Sequence, residues 1–386
     1  MLTQRIQAVQ PSSTLRITAL TRELQAQGKK VINLAAGEPD FDTPASVKSA
    51  AIQAIQEGFT KYTPTTGIPE LKKAIAAFLN RSRGLTYDPK QIAVTCGAKQ
   101  AIFNVLQVLV QSGDEVLIPS PYWVSYPEMV RLAGAKPVEV RTDPREGFQL
   151  KAETLKKVWS DRARVLILNS PSNPTGVVLQ ESHLKAIAQW VKETGIWVIS
   201  DEIYSQMVYG VTHRSIASLS PEVFQKTILI DGVSKAYAMT GWRIGYLAGP
   251  TEVVEAAGRL QDHSTSNPAS ISQRAALAAL TGDSSFVEQM VEEFKKRRDW
   301  LVQRLGQIPK VKAVKPDGAF YCFVDISATG LGSDPFAERL LQEAQVALVP
   351  GAGFGWDTHV RISFATGIAQ LQEGLDRLDR FIGEIH

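Results

Sequence analysis

The feature that most constrains this chain is a recurrence. Short runs rich in Val, Ile and Leu stand at 92–96, 115–118, 136–140, 165–168, 197–200, 227–230 and 244–248, many of them separated by helical spacers. Continuous apolar runs of this length mark strands buried on both faces. Their alternation with helices predicts a largely parallel sheet covered on both sides. Ligands of such α/β sheets bind beyond the carboxyl ends of the strands. The strand ends are therefore where chemistry is to be sought.

Five of those ends carry unusual groups. The run 227–230 leads through Asp231-Gly232-Val233 to Ser234-Lys235, with Arg243 further along the same connection. Lysine is rarely buried without a partner, and desolvation lowers its pKa, which suits it to Schiff-base chemistry. A surface lysine closing a strand is the plainer alternative. The run 165–168 opens into Asn169-Ser170-Pro171-Ser172-Asn173-Pro174-Thr175-Gly176, whose prolines keep it out of the sheet. The run 197–200 ends in Asp201-Glu202-Ile203-Tyr204, an acid and a phenol close together, and 115–118 ends in an aromatic pair, Tyr122-Trp123. The run 92–96 meets Gly97-Ala98-Lys99-Gln100 and a helix over 101–110. A strand, a small-residue turn and a helix N-terminus make an anion cradle of backbone N–H groups, although any βα unit offers that geometry. Upstream, Val31-Ile32-Asn33-Leu34 runs into Ala35-Ala36-Gly37-Glu38-Pro39-Asp40, a turn whose glycine lets backbone approach a ligand.

Composition narrows the function classes. A net charge of +3 with no basic stripe points away from nucleic acid and membrane surfaces. Five scattered histidines show no ligand spacing, so no metal site is expected, and Cys96 and Cys322 read as small core residues. No apolar run approaches a membrane span, and the N-terminus lacks a signal-peptide apolar core, so a soluble cytoplasmic protein is expected. Beyond 285 the pattern changes to a long helix over 286–305, with Arg297, Arg298 and Asp299 assigned to its solvated side. Strands at 319–324, 346–349 and 360–363 and a closing helix over 368–385 follow. The expected division is an N-terminal segment over 1–46, a large domain over 47–285 and a small α+β domain over 286–386, the first contributing to the last. Gly351-Ala352-Gly353-Phe354-Gly355 resembles part of a dinucleotide fingerprint, but a strand follows it and not a helix, which excludes a nicotinamide site.

Together these groups meet the needs of pyridoxal phosphate, for which a protein must bind a phosphate, orient a ring and tune it electronically. The chain resembles the class I/II aminotransferases of fold-type I, and most of all the bacterial aspartate aminotransferases of subgroup Ib. The resemblance runs from Pro11 to the C-terminal helix. It is carried by Asn173-Pro174-Thr175-Gly176, Asp201-Glu202-Ile203-Tyr204, Ser234-Lys235 with Arg243, and Arg361. It implies an α/β fold with a mostly parallel seven-stranded sheet, a smaller α+β domain and a homodimer with shared active sites. It makes Lys235 the Schiff-base lysine and proton carrier, Asp201 the partner of the pyridinium nitrogen, and Tyr204 and Asn173 the partners of the ring oxygen. It makes Trp123 the stacking aromatic. The phosphate falls to the backbone around Gly97, Ala98 and Lys99, to Arg243, to Ser234 and, from the neighbouring subunit, to Tyr62. Arg361 takes the substrate α-carboxylate, and Gly37 the turn that closes over it.

Substrate choice departs from the animal-type pattern. The segment Gln261-Asp262-His263-Ser264-Thr265-Ser266-Asn267-Pro268 has no arginine where that pattern places one for the distal carboxylate. The resemblance assigns this role to Lys99 and to Ser12, with Ser13 or Thr14 as neighbours. The implied reaction is a ping-pong exchange between L-aspartate and 2-oxoglutarate. Prephenate is an alternative acceptor, and aromatic or alanine preference is a weaker one. A transcription regulator on the same scaffold is disfavoured because no room for a helix-turn-helix domain precedes Pro11, and a carbon–sulfur lyase is disfavoured by the acidic-substrate features.

Overall fold

The computed structural model describes residues 2–10 and 13–385. Its strands, in chain order, are β1 (Ile32–Asn33), β2 (Ile92–Thr95), β3 (Glu115–Ser120), β4 (Lys136–Arg141), β5 (Ala163–Asn169), β6 (Trp197–Asp201), β7 (Thr227–Gly232), β8 (Gly245–Ala248), β9 (Lys312–Ala313), β10 (Tyr321–Asp325), β11 (Val346–Ala347), β12 (Val349–Pro350) and β13 (His359–Ser363). The seven runs that opened the sequence form one sheet in the order β2-β8-β7-β6-β5-β3-β4. All neighbours are parallel except β8, which is antiparallel to both β2 and β7. Every residue of β2, β7 and β8 is buried, as strands covered on both faces require. One face packs the helices Ala98–Leu109, Ser125–Leu132 and Thr251–Asp262 on Ile199, Ile228 and Ile230, and the other packs Leu166, Leu168 and Val198 on the helix Glu181–Thr194.

A second sheet, β12-β13-β10-β9, is antiparallel throughout. Beside it β1 pairs in parallel with β11, Ile32 opposite Val346, so the N-terminal strand lies among C-terminal elements. Phe294, Phe320, Phe364 and Phe381 form their common core with the helices Ser285–Leu305 and Ile368–Glu384. The turn Gly351–Phe354 leads into β13, so a strand does follow that glycine-rich segment.

One expectation fails here. Arg297 and Arg298 are buried and do not lie on a solvated face. Arg297 pairs with Asp40 at 2.7 Å and Glu293 at 2.9 Å, and Arg298 donates to the carbonyls of Pro316 and Tyr209. Arg298 also pairs with its neighbour Asp299 at 2.9 Å. Asp40, Tyr209 and Pro316 lie outside this helix, and the long arginine stems pack on apolar surface while their heads reach them. Asp299 alone is near the surface. Among the described residues no helix is long and apolar enough to cross a membrane, and none of the His, Cys, Asp and Glu groupings could hold a metal ion.

Candidate active site

The reversed strand decides where the site forms. Because β8 runs against its neighbours, the segment 233–244 leaves β7 and re-enters the sheet at one end. Gly245 stands opposite both Gly232 and Thr95. That register puts Ser234, Lys235 and Arg243 beside the start of the helix Ala98–Leu109. Gly97 has φ +84°, and a Cβ there would lie 2.5 Å from an Arg243 guanidinium nitrogen; a Cβ on Gly245 would lie 2.2 Å from the Ala98 nitrogen. Glycine at both positions lets guanidinium and helix start converge. Arg243 itself adopts a left-handed φ of 55° and donates to the carbonyls of Thr240 and Cys96.

A cavity of about 440 Å³ opens above these strand ends. It gathers Gly37, Ala98, Lys99, Trp123, Asn173, Asp201, Tyr204, Ser234, Lys235, Arg243 and Arg361. Residues from five strand ends and from the second sheet thus line one space. Gly97 adjoins it through Arg243. Tyr62 does not join it within the chain, being 92% exposed. Ser12 lies outside the described residues.

The electrostatics are specific. Lys235 Nζ donates to the Gly37 carbonyl at 2.6 Å. Burial, reinforced by the Arg361 and Arg243 guanidiniums, holds its ammonium down to about 8. Burial pushes the Asp201 carboxyl up to about 6, against the pull of hydrogen bonds from the Tyr126 hydroxyl, at 2.6 Å, and the Ile203 N–H. Among the described residues no cation pairs with Asp201. Tyr204 and Tyr321 share a hydrogen bond at 3.0 Å, and burial raises both phenols. Arg361, fully buried, donates to Asn173 Oδ1 at 3.0 Å and to the Ala35 carbonyl at 2.9 Å, while its Nε has no partner. Lys99 sits 4.8 Å from the Trp123 ring centre, and burial and then Arg243 lower its pKa.

Four contributors escaped sequence reasoning. Tyr126 holds Asp201, Tyr321 lies under Arg361 with its ring centre 4.3 Å away, and Thr240 donates to Glu38 at 2.6 Å at the cavity wall. Tyr126 follows Trp123 at helical spacing and was in principle findable. Tyr321 reads as any strand aromatic, and Glu38 and Thr240 meet only through the fold.

Comparison with known proteins agrees with this geometry. The family described as aminotransferase class I and II matches residues 29–378. The chain belongs to this family. It is 47% identical to an aspartate aminotransferase of a Bacillus species, over 99% of each chain, and 45% identical to an aspartate/prephenate aminotransferase of Thermus thermophilus, again over 99% of each. A solved aspartate aminotransferase from Thermus thermophilus, described with maleate, superposes with a TM-score of 0.95 at 45% identity, covering 98% of this chain and 99% of that one. The chain is thus an aminotransferase of fold-type I whose cofactor is pyridoxal phosphate.

The residues present fit that cofactor. The cradle at Gly97, which any Cβ would fill, offers helix N–H groups and a guanidinium to a phosphate. A buried carboxylate that, among the described residues, has no cationic partner suits a ring nitrogen, and an amine of lowered pKa lines the same cavity. Trp123 offers a ring face for stacking.

Proposed function

We propose that this aminotransferase moves the amino group of L-aspartate to 2-oxoglutarate by a ping-pong cycle, with prephenate as the alternative acceptor. One observation carries the dicarboxylate preference: besides Lys235, which the cofactor engages, Lys99 adds a basic group to a cavity that already holds Arg243 and Arg361. If Arg243 takes the cofactor phosphate and Arg361 the α-carboxylate, Lys99 is left for a second substrate carboxylate. The names of the relatives, aspartate aminotransferase and aspartate/prephenate aminotransferase, support aspartate as a substrate and prephenate as an acceptor.

The bound cofactor supplies an electron sink that acidifies the substrate Cα–H. The chain does the rest. Lys235 would hold the cofactor covalently and, as a free amine, would take the proton from the substrate Cα and later return one; an amine of lowered pKa suits both directions. Asp201, held by Tyr126, supplies the counter-charge for the ring nitrogen. Asn173 accepts from Arg361 through Oδ1, which leaves its amide N–H free for the ring oxygen, where Tyr204 also donates. Gly97, Ala98, Lys99 and Ser234 complete the phosphate seat, and Trp123 covers one ring face.

The same reading makes the protein a cytoplasmic homodimer in which Tyr62 reaches the neighbour's phosphate seat. An exposed tyrosine a few residues beyond the exposed Ile52 and Ile55 of the helix Ala45–Gln56 supports it. Gly37 and Arg361 then belong to a small domain, 1–46 with 286–386, that closes over the substrate bound to 47–285, and Ser12 assists Lys99.

The decisive variant is Lys99→Ala. The expected result is a fall in kcat/KM for L-aspartate of about ten- to a hundredfold, with kcat/KM for L-alanine held within a few-fold. An unchanged value for aspartate would remove Lys99 from the distal site. Single-turnover loss of the cofactor's visible absorption on mixing with L-aspartate, L-glutamate, L-phenylalanine or L-arogenate separates the acceptors: comparable rates for arogenate and aspartate would make prephenate a true second substrate.

A further inference from the structure

Behind Asp201, on the opposite face of the sheet, lies a buried ionic cluster that the proposed chemistry does not use. Successive strand residues alternate faces. Asp201 therefore meets Tyr126, whereas Ser200 and Asp231 point the other way, since the register sets Asp201 opposite Ile230. There Arg83, at the end of the helix Pro69–Arg83, forks between two strand ends: Nε donates to Glu202 at 2.7 Å, and one terminal nitrogen donates to Asp231 and, at 2.5 Å, to Ser205. Glu202 also accepts from Ser200 at 2.9 Å and Ser215 at 2.6 Å, and its second oxygen meets His213 at 3.0 Å. The side chains of Arg83, Glu202 and Asp231 are each at most 3% exposed.

We propose that Arg83, Glu202 and Asp231 are positioning residues that clamp the ends of β6 and β7, so that Asp201 and Ser234-Lys235 meet the cofactor in fixed register. This inference rests on the assignment of Asp201 to the ring nitrogen. Three considerations support it. Glu202 adjoins Asp201, and Asp231 lies just before Ser234-Lys235, so one guanidinium joins both functional segments. A buried ion pair is a poor source of stability, because desolvation offsets its Coulombic gain, and its best-attested use is to fix one arrangement. Beyond burial, the carboxylates of Asp231 and Glu202 also push the Asp201 carboxyl up from the far side of the sheet, which favours a cation beside it. The other titratable groups packed around the cluster are His213, Tyr87, Tyr246 and Tyr237, with Tyr126 and Tyr204 on the Asp201 side.

The test compares Asp231→Asn, Glu202→Gln and Arg83→Lys with Asp201→Asn and wild type, following the Kd of pyridoxal phosphate for apoenzyme by tryptophan fluorescence, kcat and KM for L-aspartate, and Tm. The expected result is a cofactor Kd raised about tenfold and kcat lowered about as much, with KM within about twofold. Arg83→Lys keeps the charge and loses the fork, so it serves if a carboxylate variant fails to fold, and the same loss is expected of it. Folded variants with Kd and kcat within twofold of wild type, beside an Asp201→Asn that binds cofactor poorly, would overturn the clamp alone. An Asp201→Asn that binds cofactor normally would overturn the Asp201 assignment and the clamp with it.

Discussion

Among the described residues Asp201 has no cation of its own, and burial pushes its carboxyl up to about 6. The sign of the consequence follows. Above about 6 the carboxylate is charged and can hold a ring cation; as pH falls through that value it takes a proton and the counter-charge is lost. Apoenzyme is therefore expected to bind pyridoxal phosphate progressively more weakly from pH 7 to pH 5 than Asp201→Asn does, relative to each protein's own affinity at pH 7. Fluorescence titrations at several pH values check this, and parallel curves for the two proteins would refute it. At this scale the sequence was most legible where a rare residue stood at a strand end. Lys235, Asp201 and Asn173 could be singled out because lysine, carboxylate and proline-locked amide are unusual at strand ends, and all three line the cavity. Arg361 did not, since an arginine in Val360-Arg361-Ile362-Ser363 reads equally as a strand-edge charge; its burial and its free Nε became visible only in three dimensions.

Among elements, the strand order and the helix N-terminus at Ala98 turn individual residues into a site. Gly245→Ala would press a methyl group against the backbone nitrogen of Ala98, which has no flexible end to swing aside. The expected cost is about 1–3 kcal/mol in stability, as for overpacking elsewhere, together with loss of cofactor retention on gel filtration. Arg298→Met would keep much of the packed stem but leave the carbonyls of Tyr209 and Pro316 without a donor. It is expected to cost about 1–3 kcal/mol in urea unfolding, whereas a solvated arginine would be worth almost nothing. The seven runs all became strands of one sheet, the inner ones because a strand buried on both faces must be apolar along its length, whereas β4 lies at the edge and is largely exposed. The reversal of β8 was not legible, since an apolar run carries no direction. Nor was the burial of Arg297 and Arg298, since a run of charges beside Asp299 has the pattern of a solvated helix face, and Asp40, Tyr209 and Pro316, which meet them, come from other parts of the chain.

At the scale of the whole molecule, the proposed dimer makes each site depend on two chains. Lys235→Ala and Tyr62→Ala variants, unfolded together and refolded, would form hybrids in which one site carries both lesions and the other carries neither. With random pairing, half the dimers are hybrids with one sound site each, so about a quarter of wild-type activity is expected, above either parent. Activity no higher than the average of the parents would show that Tyr62 serves its own chain or none.

The reversal of β8 has a further consequence, in chain statistics. A segment that leaves and re-enters a sheet at the same end is a closed loop whose ends are pinned by Gly232 opposite Gly245. The entropy of closing it is lost when the sheet forms, whether or not a cofactor ever arrives. A molecule gripping both Lys235 and Arg243 then spans two points already held at a fixed distance, and little ordering is left to oppose it. Lengthening the segment with glycines would return that freedom to the empty protein, and affinity would fall although every contact could still be made.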